Sequence, residues 1–139
     1  MKYEKMKKYG EGKFRRITGI RRKTFNKIVE ILKKAEAIRR SKGGPKPKLS
    51  VEDMLLSALE YWREYRTYVH ISVGFGLSES QTYRIVKWVE DVLIKDGTFA
   101  LTGKKILLDP KADYEVVLYD GTESPIERPK KTENAMVWQ

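Results

Sequence analysis

Two sets of residues have types and spacings that could do chemistry. Ser80, Gln81, Arg84 and Lys87 fall on one side of a helix, opposite Ile85, Val86 and Val89. A glutamine can pair bidentately with adenine and an arginine with guanine, so such a face could read base edges in a major groove. Tyr83 belongs to the same stretch, and Arg66, Thr67 and Tyr68 at the preceding helix start could hold phosphate with help from the helix N-terminus. The second set centres on Asp120. It closes a β run, Tyr114–Tyr119, and is followed by Gly121. A strand ending in a carboxylate and a glycine turn is a common way to present a metal ligand for phosphoryl transfer. One carboxylate is not a site, because two-metal catalysis holds its ions ~4 Å apart with several acidic ligands.

The elements that must position these residues are mainly helical. Met1–Tyr9 and Lys13–Thr18 read as short helices, the second with Phe14 and Ile17 inward and Gly19 as its stop. Over Lys23–Arg39, Phe25, Ile28, Val29, Leu32 and Ala35 form an apolar stripe. Residues 41–49 form a Gly/Pro/Lys linker that cannot continue a helix. Lys46 and Lys48 make it a plain basic connector, with a minor-groove strand as the alternative. Ser50 opens the next helix, in an approximate capping box with Asp53. Val51, Met54, Leu55, Ala58, Leu59, Trp62 and Tyr65 give it a core stripe. Thr67 caps Tyr68–Phe75, Gly76-Leu77-Ser78 turns the chain, and a helix follows from about Glu79 to Lys95. Helix, short glycine turn and polar-fronted second helix make a helix-turn-helix. The alternative is a helical hairpin in an ordinary bundle.

The resulting organisation is a basic helical segment at 1–40, the linker at 41–49 and a helix-turn-helix domain at 50–97. A connector with the first strands of a β unit spans 98–131, and a tail spans 132–139. Tyr114–Tyr119 and Ser124–Arg128 would pair as a hairpin, which alone is marginal in water.

Bulk composition narrows the function classes. The net charge is +10, and residues 1–48 hold 18 Lys/Arg against 4 Asp/Glu while residues 49–139 hold 11 against 15. A basic excess confined to one end suits a polyanion. The absence of cysteine excludes disulfides and thiolate metal sites and fits a cytoplasmic setting. No apolar run approaches the ~20 residues needed to span a bilayer, so no membrane partner is expected. His70, the lone histidine, has no second histidine or carboxylate pair spaced to share a metal and reads as an ordinary helix residue. The Trp and Tyr residues fall mostly on core stripes, so packing accounts for them better than base stacking.

Several stretches go beyond generic patterns. Leu59-Glu60-Tyr61-Trp62-Arg63-Glu64-Tyr65-Arg66-Thr67 and Asp120-Gly121-Thr122-Glu123-Ser124-Pro125-Ile126-Glu127-Arg128-Pro129 are the most specific. With Gly43-Gly44-Pro45-Lys46-Pro47-Lys48-Leu49-Ser50 and Tyr83–Glu90, they resemble the N-terminal part of bacterial transposases of the insertion-sequence-five group, up to about Lys131. The resemblance implies binding of terminal inverted repeats through the helix-turn-helix. It also implies a ribonuclease-H-like core whose Asp, Asp and Glu hold two divalent metals. Asp120 matches the first of those acids, and no residue here matches the other two. Glu123 and Glu127 belong to the first-strand motif. The tail Thr132–Gln139 departs from the family and reads like out-of-frame sequence, from gene decay or from slippage at the Lys130-Lys131 codons.

The expectation is therefore a mainly α protein: a helix-turn-helix domain with a C-terminal β hairpin that begins a truncated ribonuclease-H-like core. Its expected activity is sequence-selective binding of double-stranded DNA at transposon ends, without cleavage, in the cytoplasm and at the nucleoid. No cofactor is expected for binding. Mg²⁺ or Mn²⁺ would enter only in a completed core, with Asp120 as a vestigial metal ligand. A homodimer stays open. The alternatives are a metal-dependent nuclease completed by another chain or frame, and a regulator or repressor of transposition.

Overall fold

The computed structural model describes residues 2–100, and these form six helices. They are α1 (Tyr3–Met6), α2 (Glu11–Thr18), α3 (Arg22–Ser41), α4 (Val51–Glu64), α5 (Tyr68–Phe75) and α6 (Glu79–Asp96). The described residues contain no strand. The expected hairpin, Asp120 and the tail lie outside them.

Apolar periodicity explains the packing. Phe25, Ile28, Val29 and Leu32 are buried along α3, and Met54, Leu55, Leu56 and Ala58 are buried along α4. Ile71 and Phe75 of α5 and Val86 and Val89 of α6 complete the same core, which Met6 and Phe14 join from the front. Phe25 is its front anchor, stacked on Tyr3 at 5.4 Å and edge-on to Phe14 at 5.3 Å. Burial of one such ring contributes ~1.5–3 kcal/mol. α6 packs on α3, α4 and α5, so the basic front segment shares one core with the helix-turn-helix.

Three local expectations change. The first helix covers only Tyr3–Met6: the Lys7 N–H makes the last α-helical bond, to Tyr3 O, and the Tyr9 N–H then turns back to Met6 O. Asp53 does not complete a capping box. Ser50 Oγ accepts the Asp53 N–H at 3.2 Å, but the Asp53 carboxylate accepts the Tyr3 N–H at 2.7 Å and ties α1 to α4. Tyr65 leaves the core stripe: it is 88% exposed, with a left-handed φ of 52° that ends α4. Such a φ is uncommon outside glycine. Here it turns the chain so that Thr67 can cap α5, accepting the His70 N–H at 3.3 Å.

Candidate nucleic-acid interface

The turn between α5 and α6 fixes the candidate surface. Gly76 adopts φ 70°, and both its N–H and that of Leu77 point to Ser72 O. This closes the exposed carbonyl end of α5 as a glycine C-cap does. Ser78 then caps α6 through a reciprocal box: Ser78 Oγ accepts the Gln81 N–H at 3.3 Å, and Gln81 Oε1 accepts the Ser78 N–H at 3.2 Å. Thr82 is buried and donates its hydroxyl to Ser78 O at 3.1 Å. The first turn of α6 is therefore held from both sides.

From that anchored turn, Ser80, Tyr83, Arg84 and Lys87 project as an exposed stripe, while Val86 and Val89 face the core. Among the described residues, Arg84 has no ion-pair or hydrogen-bond partner. Lys87 Nζ lies 3.4 Å from Glu90 Oε2, and Arg66 Nε lies 2.6 Å from Glu64 Oε2. Exposed pairs of this kind are worth ~0–1 kcal/mol, so a phosphate can compete for either cation. Gln81 is less free. It is half-buried, and its Oε1 is engaged in the cap, so a bidentate adenine contact would have to share or release that oxygen.

Tyr68 lies where α5 meets this stripe. Its ring stacks on Tyr61 at 4.5 Å and meets Tyr83 edge-on at 5.5 Å. Burial first, and then the neighbouring Tyr61 phenol, push the Tyr68 pKa up to about 12. The phenol therefore stays a neutral O–H donor at ordinary pH. Thr67 Oγ1 lies 2.8 Å from His70 Nδ1 and also serves the cap, so Thr67 and His70 form a local turn.

Lys46 and Lys48 are exposed, and with Gly43, Gly44, Arg39 and Arg40 they border a groove that also includes Gln81 and Arg84. The structure thus brings the linker lysines and the start of α6 to one surface. Arg39 is one of the lysines and arginines of residues 1–48 that the sequence offers together for phosphate, and no local pattern singles it out. Its cue was Glu36, an acid that continues the apolar stripe of α3 one turn after Leu32 and is buried.

Not every front-half cation joins this surface. Arg22 donates to Tyr9 O at 2.6 Å and lies over the Phe14 ring at 4.1 Å. Lys33 Nζ pairs with Glu52 at 2.8 Å. Burial alone would raise the Glu52 pKa, but the Lys33 hydrogen bond, the residue's own backbone N–H and the Lys33 and Lys7 charges outweigh burial and hold it below the usual value. Among the described residues no group of three or more His, Asp or Glu could hold a metal ion, and none of their helices is long and apolar enough to cross a membrane.

A short glycine turn between a packed helix and an exposed, polar-fronted one defines a helix-turn-helix protein. Residues 47–99 match the family described as the helix-turn-helix of DDE superfamily endonuclease. The chain is also 47% identical over 133 residues to a probable transposase for insertion sequence element IS702 from Microchaete diplosiphon. That alignment covers 96% of this chain and 48% of the relative, so the chain spans about half the length of the curated relative it matches. These matches make it a member of the insertion-sequence transposase family, corresponding to the N-terminal part. No solved structure matches the chain.

Proposed function

We propose that these residues supply the end-recognition activity of an insertion-sequence transposase: sequence-selective binding of double-stranded DNA at terminal inverted repeats. The observation that carries this reading is the exposed Ser80, Tyr83, Arg84 and Lys87 stripe on a helix whose first turn is fixed by a double cap. In this reading α6 enters the major groove. Arg84 contacts a base edge, with Gln81 and Ser80 beside it at the start of the helix. Lys87, Arg66, Thr67, Tyr68, Lys46 and Lys48 contact phosphate and sugar, and Tyr83 packs between the two sets. Binding itself needs no metal. Strand cleavage by these 139 residues alone is not expected, because Asp120 is the single residue matching a catalytic acid of the family.

The test is a gel shift of the full chain on the DNA flanking its own gene, with scrambled duplex as competitor. Arg84→Ala should weaken cognate binding by ~1–3 kcal/mol and relax preference at one base pair. Equal loss on cognate and scrambled DNA would reduce Arg84 to a phosphate contact and remove the base-reading role. Incubation of the same protein with supercoiled DNA and Mg²⁺ or Mn²⁺ checks the other half. Nicking abolished by Asp120→Asn would replace the binding-only reading with a nuclease.

A further inference from the structure

The C-terminal end of α3 faces the first half of α6 across a groove of about 470 Å³. Leu77 and Ile85 line it together with Arg39, Arg40 and Arg84. Glu36 lines it as well, with a side chain only 9% exposed. Neither Glu36 carboxylate oxygen has a hydrogen-bond partner among the described residues. Arg39 Nη2 stands 2.8 Å from Glu36 Oε2, which is ion-pair distance without an aligned N–H. The same guanidinium lies over the Trp88 ring, 5.0 Å from its centroid. Trp88 is four residues after Arg84, on the same face of α6.

Arg39 is therefore located by two groups at once, a buried charge on its own helix and an aromatic face on the recognition helix. Its side chain remains 47% exposed beside the groove that Arg84 also borders. Glu36 is desolvated while its partner stays half in solvent, so the pair recovers little of what burying the carboxylate costs. Stabilisation of the free protein is thus a poor account of the arrangement. An arginine already fixed in place loses less side-chain entropy on binding, and guanidinium geometry matches phosphate.

We propose that Arg39 is a DNA-backbone contact that extends the duplex interface beyond residues 47–99, and that Glu36 and Trp88 are its positioning residues. The ligand is the phosphodiester backbone flanking the base pairs read by α6. This rests on duplex reading by α6.

The experiment measures binding of the full chain to cognate and scrambled duplex across a salt series, with thermal melting of each variant as the folding control. Arg39→Ala should weaken both duplexes by the same factor and lower the slope of log K against log salt by ~0.9, the release expected for one phosphate contact. Glu36→Gln separates positioning from charge. Removing a negative charge should by itself tighten DNA binding, whereas loss of the group that holds Arg39 should weaken it. Weaker binding by a folded Glu36→Gln protein supports the positioning role. Tighter binding by that variant, or an unchanged salt slope in Arg39→Ala, overturns the proposal. If the parent chain binds no duplex at all, the reading of α6 fails first. If Arg84→Ala relaxes specificity while Arg39→Ala keeps the full slope, only the Arg39 proposal fails.

Discussion

Residues 2–48 hold 18 Lys and Arg against 4 Asp and Glu, whereas residues 49–100 hold 5 against 8. The exposed α6 stripe of Ser80, Tyr83, Arg84 and Lys87 nevertheless lies in the second, acidic region. Some cations of the basic region are tied to the fold: Arg22 to Tyr9 and Phe14, and Lys33 to Glu52. Net charge creates a field that can draw a polyanion toward the molecule. It does not say which side chains touch. Arg84 of α6 combines exposure, a head group with no ion-pair or hydrogen-bond partner among the described residues, and a helix start held by a double cap.

The comparison can be broken most forcefully at the front core. Phe25→Ala removes the ring that meets both Tyr3 and Phe14, and it should lower the unfolding free energy by ~3–5 kcal/mol in a denaturant titration. Because α3 packs directly on α4 and α6, the loss should appear in one cooperative transition. Two separate transitions would show that the basic region is an independent appendage.

Ser78→Ala attacks the other region and should cost ~1 kcal/mol of stability through loss of the N-cap. It also releases Gln81 from the box, so hydrogen exchange should rise at the first turn of α6. Unchanged exchange there would mean that Thr82 alone holds the turn.

A sharper and smaller contrast pairs two lysines. Lys87→Ala should reduce the salt slope of duplex binding by ~0.9, as expected for one lost phosphate. Lys33→Ala removes the same charge but should leave that slope nearly unchanged, because Lys33 meets Glu52 at the start of α4 and does not line the groove beside α6. Equal slopes for the two variants would return the argument to net charge.

The smallest effect is on pH dependence. Tyr68 titrates near 12 in the folded chain, against an ordinary value of 10. Its contribution to stability is complete below pH 10 and is lost as pH rises through 12. Tyr68→Phe should flatten the fall in melting temperature across that window. A parent-like alkaline slope in the variant would assign it to other groups.

Much of the helix-turn-helix was legible in the sequence because its signals are local. Gly76, Ser78, Thr67 and Ser50 act on backbone groups within one turn, and each performs the capping or turning role its type suggests. The interface was less legible. Gln81 has the right chemistry for adenine, but its carbonyl oxygen is committed to the Ser78 N–H. Asp53 has the spacing of a cap acid, but it is drawn to Tyr3, 50 residues away in the chain. Tyr65 continues an apolar repeat that the helix itself abandons one residue earlier. Glu36 disguises a long-range arrangement as a stray acid.

By itself, the sequence determined which segments are helical, where most of them stop, and that α6 has one apolar and one polar face. Residue spacing, caps and glycine freedom act within a few residues, so they need no partner. Tertiary structure alone decided which cations are consumed by the fold and which reach solvent, and it set Arg39 beside Arg84. Those outcomes depend on desolvation and on distances between residues far apart in the chain, and no local pattern encodes them.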